Sequence, residues 1–478
     1  MKEFRKTKII GTIGPASESE EMLTNLMNAG LNVCRINFSH GGYEENAVKI
    51  ETIKKCREKL NVPIALALDT KGPEIRTGKL ESGDEKVTIE EGQEFVFVHD
   101  DIIGNNTKAT VSYKNLYQDV KPGSTILVDD GAIEFEVKEI KDKDIYCVAK
   151  NTARLGSRKT MNIPGVKLEL PALSEKDVDD ITKGAKAGFD YIFASFVRRA
   201  DDVNQIRKLL DENGGEKVEI ISKIESQEGI DNFEEILKVT DGIMVARGDM
   251  GVEIPMEQVP IVQKRFIKRC NEVGKPVITA TQMLESMISN PRPTRAEVSD
   301  VANAVYDLTG CIMLSGECAM GKYPVECVKD MVKISTAIEG DIKYWKRFAS
   351  RSVDDTNDLK ANIAYTACVT AKDVSASAIV AYTHTGETAK LLSGFRPSCP
   401  VIAITDDVKT YHKLSLAQNV MPVFIGGESS IDNTIGKGIL SLEEQAILEK
   451  GDKIVIAGGD KILPLEKESQ VIGGIMNI

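Results

Sequence analysis

Val218-Glu219-Ile220-Ile221-Ser222-Lys223-Ile224-Glu225 is an apolar, β-branched run that closes on a lysine and a glutamate two residues apart. It reads as a strand buried on both faces, the kind found in parallel sheets, where the next strand needs a crossover helix. Seven further runs of the same character span 8–14, 32–38, 64–70, 191–196, 242–249, 276–283 and 311–316. Helical periodicity lies between most of them, clearest at 19–29, 45–60 and 259–272, where apolar residues recur at three- and four-residue steps. Ser174-Glu175-Lys176-Asp177 and Thr294-Arg295-Ala296-Glu297 have the form of capping boxes at helix starts. Eight strand–helix units predict a (β/α)8 TIM barrel, an α/β fold whose chemistry collects at the carboxyl ends of its strands.

One connection is too long. About a hundred residues separate Thr70 from the helix after Ser174, and they contain short alternating runs at 86–89, 94–99, 108–112, 125–128, 133–140 and 144–149 between Gly, Asn, Asp and Pro turn signals. A structureless loop of that length is implausible. Residues 73–171 therefore read as an inserted all-β lid domain, a β-barrel standing over the catalytic mouth of a barrel built from 1–72 and 172–340. After the polar stretch 354–358, buried runs at 376–383, 400–405, 420–426 and 453–458, with a fifth candidate at 471–476, predict a C-terminal three-layer α/β domain over 341–478.

The chain has 478 residues, a formal charge of −12, 42% hydrophobic and 28% charged residues. No run reaches the length of a membrane span, the N-terminus does not open a signal peptide, and the acidic balance argues against a nucleic-acid partner. Nine cysteines without a CxxC pair and four scattered histidines argue against zinc and for reduced, buried thiols, hence a cytoplasmic location. Gly316 to Lys322 imitates a P-loop, but Tyr323 stands where Ser or Thr should be and no Rossmann-like unit surrounds it.

The unusual residues sit at the strand ends. Arg35, Asn37 and Ser39 share i, i+2, i+4 spacing, as Lys223 and Glu225 share i, i+2, which aims each set to one side of its strand. Glu225 and Asp249, carboxylates from adjacent strand ends, suit a hard divalent cation such as Mg2+ or Mn2+. Lys223 beside them supplies positive charge for an anionic substrate or transition state. The competing reading of Gly248-Asp249-Met250-Gly251 is a plain turn. Asp69 and Thr70, with Asn37 and Ser39, offer oxygen donors for a monovalent cation, though Asp-Thr is also an ordinary helix-start signal; spacing leaves both open.

On five segments the chain resembles the pyruvate kinases along essentially its whole length: Arg35-Ile36-Asn37-Phe38-Ser39-His40-Gly41, Asp69-Thr70-Lys71-Gly72-Pro73-Glu74-Ile75-Arg76, Ile221-Ser222-Lys223-Ile224-Glu225, Met244-Val245-Ala246-Arg247-Gly248-Asp249, and 279–287. The resemblance implies phosphoryl transfer from phosphoenolpyruvate to ADP, giving pyruvate and ATP at the end of glycolysis. It implies that Glu225 and Asp249 bind the divalent metal and that Lys223 stabilises the phosphoryl group in transit and the enolate left behind. Arg35 would contact the transferring phosphate. Gly248 and Asp249 would help seat the substrate, with Thr281 near its carboxylate and the proton-delivery path. Asn37, Ser39, Asp69 and Thr70 match K+ ligands, and Glu74 matches the K+-dependent form of the family. Asn37, Phe38, Ser39, His40, Arg76 and Lys159 match nucleotide contacts.

The resemblance also implies a homotetramer and a phosphorylated effector bound in the C-terminal domain. Thr383, Thr385 and Thr388 fit that role, but Glu387 is an awkward neighbour for an anion, and members activated by fructose 1,6-bisphosphate carry basic residues here, a departure that tells against that effector and leaves AMP or a sugar monophosphate open; an ordinary polar loop is the competing reading. A rival for the whole chain is a metal-dependent lyase or aldolase acting on phosphoenolpyruvate or pyruvate without a nucleotide. Lys159 and Arg76, together with the inserted lid, speak against it. A third reading, a barrel kept only for binding, conflicts with the intact set of charged strand ends.

Overall fold

The structure, a computed structural model, describes residues 4–39, 41–353, 358–427 and 430–458, and the backbone of 475–477. Eight parallel strands close on themselves in chain order: Lys8–Thr12, Val33–Asn37, Ala65–Asp69, Tyr191–Ala194, Glu219–Ile224, Gly242–Ala246, Val277–Ala280 and Cys311–Leu314. Successive residues of these strands face opposite sides. Ile10, Val33, Ala65, Ala67, Phe193, Ile221, Met244 and Ile278 fill the lumen, while Ile9, Cys34, Ile36, Leu66, Leu68 and Ile243 pack outward with the helices. That parity is why i, i+2 spacing matters: Arg35 and Asn37 continue the inward row of Val33, Asp69 that of Ala67, and Lys223 that of Ile221.

The strands stop sooner than the expected bounds. The run 242–249 ends as a strand at Ala246, the last residue paired to the seventh strand, and Arg247–Glu253 coils into a short helix. Asp249 therefore lies in a helical first turn, not at a strand end or in a loose turn. Ser39 likewise falls past the end of Val33–Asn37, in a turn where its N–H donates to Asn37 Oδ1 at 3.0 Å. Helices form where expected, as Glu20–Ala29, Tyr43–Leu60 and Val259–Glu272, and both capping boxes are present at Ser174 and Thr294.

The insertion folds into a seven-stranded sheet ordered Ile75–Arg76, Thr160–Asn162, Thr125–Val128, Ile133–Lys141, Asp144–Ala149, Glu94–Val98 and Lys108–Thr110, with Val87–Ile89 pairing Ala153–Leu155 beside it. A bridge between Thr77 and Val111 joins its two edges, so the sheet curls back on itself around Phe95, Phe97 and Phe135. Its stem is held by the barrel from both sides. Asp177, the buried partner of the Ser174 capping box, accepts from the N–H groups of Lys71 and Gly72 on the outgoing strap through Oδ1. Arg198 donates to the carbonyls of Leu168 at 3.0 Å and Leu170 at 2.7 Å on the returning strap.

Beyond the barrel a five-stranded sheet runs Val420–Phe424, Val401–Thr405, Ala378–Tyr382, Lys453–Ala457, Ile475–Asn477, parallel except for its last strand. The fifth strand expected at 471–476 appears at 475–477; 471–474 lie outside the described residues, as do 354–357 of the polar stretch. Helices cover both faces of this sheet, giving the three layers. No helix among the described residues is long and apolar enough to cross a membrane.

Candidate active site

At the carboxyl end of the barrel the inward rows of strands two, three and five end in charge. Arg35 Nε donates to Asp69 Oδ2 at 2.6 Å, and its Nη1 to Thr12 Oγ1 at 2.7 Å. Lys223 Nζ donates to Asp69 Oδ1 at 3.1 Å and to Ser195 Oγ at 2.7 Å, and lies 3.1 Å from Glu225 Oε1. Two cations and two carboxylates thus form one buried chain across the barrel mouth, with Asp69 and Glu225 each only 1% exposed. Burial alone would discharge the Lys223 ammonium, but Asp69 and Glu225 outweigh it and keep the lysine charged. Burial pulls Asp69 upward, and Arg35 with Lys223 brings it below the ordinary carboxylate range.

Glu225 behaves differently. Burial raises its carboxyl to about 7, Lys223 opposes that, and the negative charge of Asp249 adds to it. Its Oε2 accepts the Phe196 N–H at 2.6 Å, while Oε1 has no hydrogen bond, the Lys223 contact being poorly aligned for one. A buried carboxylate oxygen left without a donor, next to a second carboxylate, is the donor chemistry a hard divalent cation satisfies. Glu225 and Asp249 fit such an ion, leaving its other positions to water and substrate oxygens.

Two strained backbones aim this site. Phe196 and Thr281 both hold positive φ, 54° and 70°, a region costly for an aromatic and more so for a β-branched residue. At Phe196 the conformation points the N–H at Glu225. At Thr281 it places Oγ1 where it accepts the Gly248 N–H at 2.8 Å. The Thr281 carbonyl accepts from Arg247 Nη2 at 2.6 Å, and Arg247 Nη1 pairs with Asp300 at 2.8 Å. Helix Arg247–Glu253 is thereby fixed to the seventh strand by its first turn.

Asn37 and Asp69 are direct neighbours in register, and Thr70 Oγ1 accepts from the Ser195 N–H at 3.0 Å. Asn37, Ser39, Asp69 and Thr70 thus cluster at the ends of two adjacent strands as an oxygen-only set compatible with K+. The lid residues stand apart from this chain. Arg76 forks onto Glu74 at 2.8 Å and Lys159 pairs with Asp129 at 2.8 Å, and neither is bonded to Arg35, Lys223 or Glu225 among the described residues. They do adjoin one another in the lid stem, where Thr160 pairs with Arg76. Phe38 is buried beneath Phe189 and Lys176, its ring turned into the core, so only its backbone faces the mouth. His40 lies outside the described residues.

Ser195 and Phe196 join the site without standing out in the sequence. Ser195 bridges Lys223 to the Thr70 carbonyl, which its Oγ reaches at 2.6 Å. The one available signal is the parity of Tyr191, Phe193 and Ser195, the inward row of the fourth strand. In the C-terminal domain Thr383 Oγ1 accepts the Gly386 N–H at 2.9 Å ahead of helix Glu387–Gly394; Thr385 lies on the same loop and Thr388 in the first turn of that helix. Glu387 pairs with Lys360, which masks part of its charge.

Residues 4–328 match the family described as pyruvate kinase, barrel domain, and residues 361–468 the one described as pyruvate kinase, alpha/beta domain. The chain is 49% identical to the pyruvate kinase of Clostridium acetobutylicum over 457 residues, 95% of this chain and 96% of that one. It is 47% identical to that of Clostridium perfringens over 477 residues, 97% and 100% of the two chains. A crystal structure of a pyruvate kinase from Cryptosporidium parvum superposes with a TM-score of 0.92 at 40% identity, covering 95% of this chain and 94% of that one.

Proposed function

The chain belongs to the pyruvate kinase family, and from that membership we propose how its own residues carry phosphoryl transfer from phosphoenolpyruvate to ADP. Such transfer needs positioning and charge neutralisation more than covalent help. Arg35 and Lys223, locked to Asp69, present two fixed cations to the phosphoryl group along its path. Lys223 stays protonated and steadies the negative charge that passes to the enolate oxygen. Glu225 and Asp249 would hold a divalent ion, which would supply Lewis-acid charge neutralisation for an anionic substrate. Gly248 and Thr281, joined by their hydrogen bond, seat the carboxylate of the substrate, and the Thr281 hydroxyl stands where a proton reaches the enolate carbon.

Asn37, Ser39, Asp69 and Thr70 hold K+ in this reading, and Glu74, paired with Arg76, matches the K+-dependent form of the family. Arg76 and Lys159 turn from Glu74 and Asp129 to the nucleotide phosphates when ADP arrives, and the backbone of Asn37 to His40 lines its site. A homotetramer, a cytoplasmic location and a phosphorylated effector at Thr383, Thr385 and Thr388 belong to the same proposal, as do a catalytic barrel of 1–72 and 172–340, a lid of 73–171 and an effector domain of 341–478.

The observation that carries the reading is the buried chain Arg35–Asp69–Lys223–Glu225 at the carboxyl ends of the barrel strands, where a barrel of this kind carries its chemistry. A coupled assay with phosphoenolpyruvate and ADP should give ATP only when Mg2+ or Mn2+ is present, with K+ raising the rate. Pyruvate released without ADP would instead establish the lyase reading.

A further inference from the structure

Helix Arg247–Glu253 has two anchors of different origin. Its first turn is tied to the barrel through Arg247 and Gly248. In its last turn the hydrogen bond from a side chain, among the described residues, runs to the lid: Asn162 Nδ2 donates to Glu253 Oε1 at 2.9 Å. A second lid element approaches one residue away, where a carbon placed on Gly131 would lie 3.7 Å from Val252 Cγ1.

Asp249 and Glu253 are four residues apart, so they lie on one face of this helix. Both line a cavity of about 300 Å3 between the lid stem and the barrel, bordered also by Glu74, Asn162 and Phe196. The helix is under two turns long. A rigid element of that length transmits a displacement at one end to the other, because nothing within it can absorb the movement.

We infer that Glu253 is a positioning residue for the divalent site: held by Asn162 of the lid, it sets the lie of the helix that carries Gly248 and Asp249. The lid stem takes part in placing the carboxylate that completes the metal site, so metal affinity depends on a residue in another domain that touches neither metal nor substrate. This role deepens the proposed function and rests on the assignment of Glu225 and Asp249.

The test is Mn2+ binding to the substrate-free protein, followed by the electron paramagnetic resonance of free Mn2+, for the unaltered chain, Asn162→Ala, Glu253→Ala and the double variant. Asn162 is uncharged, so its removal takes no charge from the field at the metal. Asn162→Ala should weaken Mn2+ binding about tenfold, the range typical of a lost outer-shell partner. The double variant should be no weaker than Glu253→Ala alone, because both substitutions remove one interaction. Hydrogen exchange should quicken across 247–253 in Asn162→Ala, a readout that a merely local role in the lid would not move. Unchanged Mn2+ affinity and unchanged exchange in Asn162→Ala overturn the role of Glu253 alone. Failure of the unaltered chain to bind Mn2+ overturns the metal assignment with it.

Discussion

Lys223 is bracketed by two carboxylates that its own charge keeps tolerable, and removing it shows what the group contributes. Lys223→Met should lower kcat by at least about a thousandfold, because a fixed charge facing the developing negative charge of a transition state is among the strongest catalytic effects a side chain can exert. The same change leaves Glu225 with burial and Asp249 and without the cation that opposed them. Its pKa then rises beyond about 7. An acid raised in the native state stabilises the fold below its unfolded value, near 4.5, and that stability is lost as pH rises through the native value. Thermal melts of the variant and the unaltered chain should therefore diverge more at pH 8 than at pH 5. Equal offsets at the two values would show that Glu225 is not held by Lys223.

At the scale of elements, one capping box does two jobs. Ser174 and Asp177 close the N-terminus of helix Glu175–Ala187, and the second oxygen of Asp177 holds the lid strap at Lys71 and Gly72. Ser174→Ala removes a cap alone and should cost about 1 kcal/mol. Asp177→Ala leaves the buried Gly72 N–H and the half-buried donors of Lys71 and Ser174 without an acceptor and frees the strap, so its cost should reach about 2–4 kcal/mol. Because the strap leads to Arg76, Asp177→Ala should also raise KM for ADP several-fold, which Ser174→Ala should not. Chemical denaturation and steady-state kinetics of the two variants separate the contributions, and equal KM values for ADP would detach the strap from nucleotide binding.

Across the whole molecule the lid stands at the carboxyl ends of the barrel strands and the C-terminal domain docks at the opposite rim. Glu219 begins the strand that ends at Ile224, just past Lys223, and it is ion-paired with Lys390 and with Lys413 at 3.1 Å, both from the C-terminal domain. Lys217 pairs with Asp407 at 2.7 Å across the same seam. His412, on helix Val408–Lys413, is buried there, and burial with the nearby Arg57 depresses its pKa to about 3. The unfolded chain takes up a proton on this histidine below about 6.5 while the native protein stays neutral, so stability falls as pH drops from that value toward 3. By pH 5 the loss attributable to His412 should reach about 2 kcal/mol. His412→Gln should flatten the decline in melting temperature between pH 7 and pH 5. An unaltered slope would place the acid sensitivity elsewhere. Trp345, half-buried against the core of the C-terminal domain and edge-on to Phe348, offers a fluorescence signal for that transition.

Properties that repeat locally can be read from the residues in order. Parallel strands buried on both faces leave continuous apolar runs, capping boxes recur at a three-residue offset, and side chains two apart in a strand must share a side, so Arg35 and Asn37 are aimed together by spacing alone, as are Lys223 and Glu225. Asp249 shows where local reading fails: the strand expected to reach 249 ends at Ala246, where its pairing with Ala280 ends, and pairing is a property of two segments. The contact of Phe196 with Glu225, the hold of Asp177 and Arg198 on the lid, and the contact of Glu253 with Asn162 join residues 28 to 106 positions apart. Periodicity carries no information at such separations. Sequence alone determined which side chains could meet at the barrel mouth; closure of the barrel and docking of the lid decided which of them touch, because contact depends on where distant backbones come to rest.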